Sequence, residues 1–407
     1  MDVLKFVIVG HVDHGKSTLI GRLLYDTKSL SPDKIEEIQR ASKGLGKETE
    51  FAYLLDHLEE ERQQGITIET TQVFFKSDKR EYVIVDAPGH VEFMKNMITG
   101  ASSAEAAVLI IDASEGIKEQ TKRHAFILSL LGIKQIVVVI NKMDLVNYDS
   151  KVFDSLRQEL EQLLKKIDIR VSFYIPISAL GGINITKKSE KMSWYQGPTF
   201  LESLNSLETR KSCEDKSLIF PIQDVYKIDN KRIGTGRIEA GSLEKGQRVK
   251  ILPGNQSTEI ETIEKYPHQV NKVYSGESIG ITTIKSVFLN RGDVLCQEAQ
   301  EPDLVDSFYA NIFWLSKKEF LKGERLIIKC ATQETSCTIE EIKKRIDSST
   351  FELLGEMEDK LENLDIGQVL IKTKKPIAIK TFQDLQELGR FVLVRDENTC
   401  AGGIVTS

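Results

Sequence analysis

The sequence predicts an α/β domain with a doubly wound, mostly parallel sheet, followed by two small β-barrels. Up to about residue 212, short apolar runs alternate with stretches of helical spacing, as in a sheet wound by βαβ units. After residue 212 the runs become short, alternating and separated by glycine turns, which is typical of antiparallel barrels. A second segment of this kind begins near residue 304. We therefore predict domains at 1–212, 213–303 and 304–407.

The first predicted strand and helix flank a glycine-rich turn. The strand "LKFVIVG" (4–10) is a continuous apolar run, and "KSTLIGRLLYD" (16–26) has its apolar residues on one helical stripe. Between them, "GHVDHGKST" places Gly10 and Gly15 just before Lys16 and Ser17. Such a turn aims backbone N–H groups at an anion, and the helix N-terminus adds its dipole. The spacing therefore predicts a phosphate-binding loop rather than an ordinary glycine turn.

Polar residues also follow three later strands, in "DAPGH" (86–90), "NKMD" (141–144) and "SAL" (178–180). Ligands of doubly wound sheets bind beyond the carboxyl ends of the strands, where all these motifs fall. Asp86 is placed to hold Mg²⁺ through water, and Ser17 to join the same shell.

The second and third of these motifs predict a pocket for guanine. Asp144 can accept two N–H bonds from a guanine edge, which adenine cannot supply, so the motif selects the base. Asn141 would brace the pocket, the stem of Lys142 would cover the base, and the Ala179 N–H would reach the guanine carbonyl.

Composition sets the limits on partners and compartment. The chain has 407 residues, 40% of them hydrophobic, and a net charge of −6 with no long basic run, which weighs against sequence-independent nucleic-acid binding. The N-terminus lacks the pattern of a signal peptide, and no run of 18 apolar residues occurs, so we expect a cytoplasmic protein. Five scattered cysteines without a CxxC pair favour reduced thiols over disulfides or a zinc site.

Together, these motifs resemble those of the GTPase superfamily over the whole first domain. With the two barrels and "TGRIEAGSLEKGQRVKIL" (235–252), the chain is similar to the translational GTPases, including elongation factor Tu. The resemblance implies that Thr67, in "QGITIET" (64–70), completes the Mg²⁺ shell and that His90 orients the attacking water. A structural histidine that caps the next helix is the alternative for His90. Val12 would act as an apolar gate beside that water.

The resemblance implies GTP and Mg²⁺ as cofactors and His90, Thr67 and Lys16 as catalytic candidates. The predicted magnesium ligands are Ser17, Thr67 and Asp86. The predicted nucleotide-binding residues are Gly10, His11, Val12, Asp13, His14, Gly15, Lys16, Ser17, Thr18, Asp86, Ala87, Pro88, Gly89, Asn141, Lys142, Asp144, Ser178, Ala179 and Leu180.

Several longer stretches resemble one branch, the GTPase large subunit of heterodimeric bacterial sulfate adenylyltransferase. They are "STLIGRLLYDTKSL" (17–30), the stretch 121–149 and "MSWYQGPTFLESL" (192–204), and "ELGRFVLVRDENTCAGGIV" (387–405) also fits this branch. This resemblance implies that GTP hydrolysis is coupled to the formation of adenosine 5′-phosphosulfate and pyrophosphate from ATP and sulfate on a partner small subunit. It implies neither a membrane nor a nucleic-acid partner.

Two other functions stay open. The loop "HVDH" (11–14) matches elongation factors better than that branch, so the chain could deliver aminoacyl-tRNA as an elongation factor of the Tu type. The third alternative is a regulatory GTPase with an unrelated partner. The nucleotide chemistry is the same in all three.

Overall fold

The computed structural model describes residues 3–30, 71–87, 97, 101, 104–209, 213–228, 231–266, 268–284 and 287–406. The chain divides into two compact units. The first comprises Met1–Arg210 with Ser348–Phe351, and the second comprises Lys211–Asp347 with Glu352–Ser407. Thr67, Pro88, Gly89 and His90 lie outside the described residues, so their predicted roles stay predictions.

The first unit alternates strands and helices, as its sequence predicts. Its strands are β1 (Val3–Gly10), β2 (Thr71–Lys76), β3 (Glu81–Asp86), β4 (Ala106–Asp112), β5 (Gln135–Asn141) and β6 (Val171–Pro176). Its described α-helices are α1 (Lys16–Asp26), α2 (Glu119–Leu130), α3 (Ser150–Lys165) and α4 (Phe200–Ser206).

The described strands of this unit form one sheet in the order β2-β3-β1-β4-β5-β6. All neighbours pair in parallel except β2, which runs antiparallel to β3 at one edge. The register sets Ile8 beside Asp86 and Asp112 beside Asn141, so the carboxyl ends of the central strands meet at one edge. The predicted doubly wound, mostly parallel sheet is therefore confirmed.

Burial explains why these segments form these elements. Every residue of β4 is buried, as expected of a central strand covered on both faces. In α3 the buried residues Phe153, Leu156, Leu160 and Leu164 recur at helical spacing, and the Asp149 side chain caps the helix by accepting a bond from the Lys151 N–H. Buried apolar side chains on the helices thus hold them on the sheet.

The second unit is built mainly from antiparallel strands. Those of its first half are β7 (Ile219–Ile228), β8 (Lys231–Arg237), β9 (Ser242–Glu244), β10 (Arg248–Leu252), β11 (Gln256–Lys265), β12 (His268–Val270), β13 (Lys272–Tyr274), β14 (Ser278–Thr283) and β15 (Val294–Gln297). Those of its second half are β16 (Asp303–Trp314), β17 (Phe320–Leu321), β18 (Arg325–Cys330), β19 (Gln333–Asp347), β20 (Leu353–Glu358), β21 (Lys360–Leu361), β22 (Asp365–Ile379), β23 (Arg390–Arg395) and β24 (Asn398–Val405). A short helix, α5 (Gln386–Gly389), lies between β22 and β23.

Each half closes into a six-stranded barrel. In the first barrel, β10-β15-β7-β8-β14-β11 forms a ring closed by pairing of β10 with β11, and β12 adds to β11. In the second barrel, β18-β23-β24-β16-β22-β19 is closed by pairing of β18 with β19, and β20 adds to β19. Closure removes the open sheet edges that an isolated sheet would expose. Both predicted barrels are confirmed, whereas the exact domain boundaries near 212 and 303 stay predictions.

No helix in the described ranges is long and apolar enough to cross a lipid bilayer.

Candidate nucleotide-binding site

The turn between β1 and α1 passes so close to its neighbours that only glycine fits at two positions. A Cβ on Gly10 would lie 2.5 Å from Ile110 Cγ2 on β4, and one on Gly15 would lie 2.5 Å from Asn141 Nδ2. Gly15 also has φ 89°, a left-handed conformation that favours glycine. The two predicted glycines therefore shape the loop through close packing.

Lys16 crosses this loop from the first turn of α1. Its side chain is buried, and its Nζ donates to the carbonyl oxygens of Gly10 and His11, both at 3.0 Å. Burial lowers the pKa of Lys16, although the charges of Asp86 and Asp13 oppose that shift. The ammonium group is thus held at the loop, where phosphate oxygens can replace the two carbonyl oxygens as its hydrogen-bond acceptors.

The first turn of α1 presents backbone donors to the same place. Gly15 is the N-cap of the helix and has a left-handed conformation. In the described structure no side chain of this N-cap accepts a hydrogen bond from the first turn, so the first backbone N–H groups can donate to a ligand. Asp13 also has a positive φ, 64°, which sharpens the turn. Ser17 and Thr18 are half-buried on this turn, and Val12 is half-buried in the loop before it.

Asp86 ends β3 beside the loop. It is only 1% exposed, and its strand lies next to β1. Its charge acts to raise the pKa of Lys16. Ala87, the next residue, is completely buried. The described residues contain no cluster of three or more histidine, cysteine or acidic side chains that could hold a metal ion alone. Mg²⁺ commonly takes one or two protein oxygens plus phosphates and waters, so Asp86 and the Ser17 hydroxyl fit this kind of site.

Asn141 ties the loop to the end of β6. Its Nδ2 donates to the carbonyl of His14, and its Oδ1 accepts from the Ala179 N–H, both at 2.9 Å. Asn141 is 2% exposed, so this double bridge is buried. The same bridge uses the Ala179 N–H that we expect to meet the guanine carbonyl. A guanine carbonyl would therefore share or replace that bond.

Lys142 adopts a left-handed conformation, with φ 60°, and its Nζ lies 2.7 Å from Asp112 Oδ2. Burial raises the pKa of Asp112, but the bonds from Lys142 and from the Ser114 N–H and hydroxyl outweigh it, so this pKa lies below its ordinary value. The ion pair joins the ends of β4 and β5. The sequence motif alone did not single out Asp112.

Asp144 lies two residues further on, in the 3-10 turn Met143–Val146, and is half-buried. On the neighbouring loop, Ser178 is 1% exposed, and its hydroxyl accepts the Gly181 N–H. Leu180 is 51% exposed at the rim. The structure thus brings the predicted base-binding residues to the edge that also carries the phosphate loop.

Buried histidines lie behind the phosphate loop, a feature that the sequence motifs did not indicate. His14 is fully buried, its Nδ1 lies 3.3 Å from the Ile110 carbonyl, and its ring centroid lies 5.2 Å from that of His11. His124 on α2 is fully buried as well, and among the described residues neither of its ring nitrogens has a hydrogen-bond partner. Burial lowers the pKa of His14 to about 4 and that of His124 to about 3, so both stay neutral near pH 7.

Comparison with known proteins identifies a GTP-binding domain in the first part of the chain. The model of the elongation factor Tu GTP binding domain matches residues 1–221, and that of the GTP-eEF1A C-terminal domain-like family matches residues 307–406. The elongation factor 1-alpha of Methanopyrus kandleri is 40% identical over 421 residues, which cover 98% of this chain and 96% of that protein. The chain belongs to the translational GTPases of the elongation factor Tu and 1-alpha type.

Other relatives agree with this family. The elongation factors 1-alpha of Methanoregula boonei and Archaeoglobus fulgidus are each 38% identical, over 98% and 99% of this chain and 96% and 97% of their own lengths. A structure of sup35 complexed with GDP aligns with 100% of this chain and 94% of that chain at 25% identity and a TM-score of 0.46, which does not bear on the family.

The prediction of a sulfate adenylyltransferase large subunit is wrong, because these full-length relatives are elongation factors 1-alpha. The stretches that suggested it form α1, the segment from α2 through the 3-10 turn of Asp144, α4 with the turn before it, and the strands β23 and β24. These elements build the frameworks of the GTPase domain and of the second barrel, so they do not separate one branch of the superfamily from another. The predicted small-subunit partner is wrong for the same reason, and the expectation that nucleic acid is an unlikely partner loses its basis.

Proposed function

We propose that this protein is a translation elongation factor of the 1-alpha type, which binds aminoacyl-tRNA in its GTP state and releases it after hydrolysis. The observation that carries the proposal is the full-length match to archaeal elongation factors 1-alpha at 38–40% identity. Because the alignment covers 96% of those proteins, it includes both barrels as well as the GTPase domain. A GTPase domain alone would support a much wider choice of partners.

The nucleotide part of this proposal rests on the carboxyl edge of the sheet. There, Lys16 and the N-terminus of α1 would hold the phosphates, and Asp86 with Ser17 would hold Mg²⁺, which neutralises charge on the phosphates when bound. Asp144 would select guanine. Thr67 and His90 keep their predicted roles, completing the metal shell and orienting the attacking water.

The first barrel carries a surface suited to RNA. At the end of β7 that leads into β8, Tyr226 and Ile228 are 52% and 56% exposed, and Phe288 nearby is 73% exposed. Arg232 lies over the Phe288 ring, with its Cζ 5.1 Å from the ring centroid. We call Tyr226 and Ile228, on one face of the hairpin, and Arg232 with the Phe288 ring, on the other face, the hairpin patch.

Lysines flank the hairpin patch. Lys227 pairs with Arg232 across the hairpin, Ile228 pairs with Lys231, and both lysines are exposed. Aromatic rings stack on unpaired bases, and adjacent cations bind phosphates, so this surface suits a single-stranded RNA end. The whole-chain charge of −6 hides such a local basic surface, which is why composition alone argued against a nucleic-acid partner.

Protection of aminoacyl-tRNA from ester hydrolysis tests this function. We expect the protein loaded with a non-hydrolysable GTP analogue to slow loss of the amino acid and the GDP-loaded protein to have little effect. Binding should weaken steeply with added salt, since phosphate contacts release counterions. Equal protection in the two states, or none in either, would contradict the proposal.

Paired arginine variants test the hairpin patch. Arg232→Ala should weaken binding of aminoacyl-tRNA about tenfold, since it removes a cation and frees the Phe288 ring. Arg248→Ala is the matched control, because that arginine is 72% exposed on β10 of the same barrel and pairs with Glu298. Neither variant should change GTP affinity. If both weaken RNA binding equally, general charge rather than the hairpin patch recognises the RNA.

A further inference from the structure

The loop that carries Asp144 has an unusual backbone. Lys142, Asn147 and Tyr148 have φ values of 60°, 53° and 57°, all in the left-handed region. This conformation is uncommon outside glycine, and for a bulky residue such as tyrosine it is rare. Such residues keep it only where their surroundings hold them. The position of Asp144 therefore depends on what holds both ends of its turn.

The end at Tyr148 is held by the segment 189–196. The indole Nε1 of Trp194 donates to the carbonyl of Tyr148 at 3.0 Å. The Nζ of Lys191 lies 5.2 Å from the centroid of the Tyr148 ring, in cation–π contact. Both the backbone and the ring of Tyr148 are thus fixed from outside the loop.

That segment is itself anchored to the framework of the first unit. The Trp194 and Tyr195 rings lie 5.4 Å and 6.0 Å from the ring of Phe153 on α3. The hydroxyl of Tyr195 donates to the carbonyl of Tyr174 on β6 at 3.0 Å. Trp194 therefore connects a packed aromatic cluster to the base-binding loop.

Two backbone hydrogen bonds connect Tyr148 and Asn147 to the turn that carries Asp144. The Tyr148 N–H donates to the Met143 carbonyl at 2.8 Å, and the Asn147 N–H donates to the Asp144 carbonyl at 3.3 Å. A displacement of Tyr148 would therefore move the turn that aims the Asp144 carboxylate.

We propose that Trp194 is a positioning residue for guanine recognition. Its indole N–H holds the Tyr148 carbonyl, and through it keeps the Asp144 carboxylate directed at the two N–H groups of the base. This role rests on the proposed guanine pocket at Asp144, but not on aminoacyl-tRNA as the partner. Without the indole bond, the left-handed residues can relax to commoner conformations, and the carboxylate meets the base less often.

The test is the rate at which a fluorescent GDP analogue dissociates from Trp194→Phe. This variant keeps an aromatic ring beside Phe153 but removes the donor. Loss of one hydrogen bond predicts dissociation about threefold to tenfold faster than wild type. The single-turnover rate of bound GTP hydrolysis should stay unchanged, because the phosphates are held elsewhere, by the loop of Lys16.

The chain contains a matched control in its second tryptophan. The Nε1 of Trp314 also donates to a backbone carbonyl, that of Lys318, at 3.0 Å, but in the second unit. Trp314→Phe should leave GDP dissociation unchanged. Lys191→Met removes only an exposed cation over Tyr148 and should speed GDP dissociation by a smaller factor, which keeps the test valid if Trp194→Phe folds poorly.

A second nucleotide separates positioning from general loosening. Inosine diphosphate lacks the amino group that donates one of the two bonds to Asp144. If Trp194 acts through Asp144, Trp194→Phe should weaken the binding of inosine diphosphate less than the binding of GDP. If the variant weakens the binding of both nucleotides equally, or leaves GDP dissociation unchanged, the proposal is overturned. Failure of the pocket itself would appear separately, as unchanged base selectivity in Asp144→Asn.

Discussion

The carboxyl edge of the parallel sheet and the interiors of the two barrels bury different kinds of side chain. At the sheet edge, Lys16, Asp86, Asp112, His124 and Asn141 are all less than 9% exposed. In the described parts of the barrels, Asp365 is the one aspartate, glutamate, lysine, arginine or histidine that is buried to this degree. Burying an ionisable group costs free energy unless a partner compensates it. This cost is concentrated at the sheet edge, where the nucleotide is proposed to bind.

The barrels place their recognition chemistry on the outside instead. Their interiors are packed with apolar side chains such as Phe220, Ile281 and Trp314, whereas Tyr226 and Phe288 of the hairpin patch are exposed. A small ligand is bound by buried, preorganised polar groups, and a large partner by an exposed surface. Substitutions in the two regions should therefore have different effects on nucleotide binding.

The largest effect is expected from Lys16→Ala. It removes the buried ammonium group of the phosphate loop, and charge-assisted contacts to several phosphate oxygens are lost together. We expect GTP affinity, measured by calorimetry, to fall more than about a thousandfold. Lys250→Ala is the matched barrel control, since Lys250 is partly buried and its Nζ lies 2.9 Å from Glu301 Oε1. The comparison fails if Lys250→Ala weakens GTP binding, or if Lys16→Ala retains micromolar affinity.

A smaller effect is expected from Asp144→Asn, which exchanges an acceptor for a donor in the proposed base pocket. GTP affinity should fall about a hundredfold, because a base N–H then meets an amide N–H, while xanthosine triphosphate should bind better than to wild type. Asp149→Asn is the control, five residues further along the chain. Asparagine caps helices as well as aspartate does, so this change should leave both affinities unaltered. Unchanged selectivity in Asp144→Asn would remove that residue from the base pocket.

The smallest effect concerns acid stability of the first unit. Burial lowers the pKa of His124 to about 3, so it stays neutral in the fold at pH 5, when an unfolded histidine with a pKa of about 6.5 is protonated. The unfolded chain then binds more protons, and the free energy of unfolding falls by about 2 kcal/mol between about pH 7.5 and 5 because of His124 alone. The loss continues as pH falls towards the folded pKa.

His124→Leu should reduce this dependence on pH, whereas His268→Leu, at an exposed position on β12 of the first barrel, should not. Urea unfolding at several pH values measures the difference. Trp194 fluorescence in a Trp314→Phe background reports the first unit alone, since the units can unfold separately. An unchanged slope in His124→Leu would show that this buried histidine does not set the acid stability.

The family and much of the candidate site could be predicted from local pattern. The glycines of the phosphate loop and the residues Asn141 and Asp144 stand next to apolar strands, so their placement at the sheet edge follows from strand order. Asp112, His124 and Trp194 were missed, because each acts through contacts with residues distant in sequence. The choice of branch also failed, since stretches that build a shared framework are similar across branches.

The sequence by itself determined the order of strands and helices and the two positions in the phosphate loop that require glycine. These properties depend on side-chain periodicity and on the geometry of a few neighbouring residues. Only the tertiary structure decided that Asn141 bridges the His14 carbonyl to the Ala179 N–H, and that Trp194 holds Tyr148. Those bonds join residues 38 to 127 positions apart, so they exist only after the sheet has brought distant loops together.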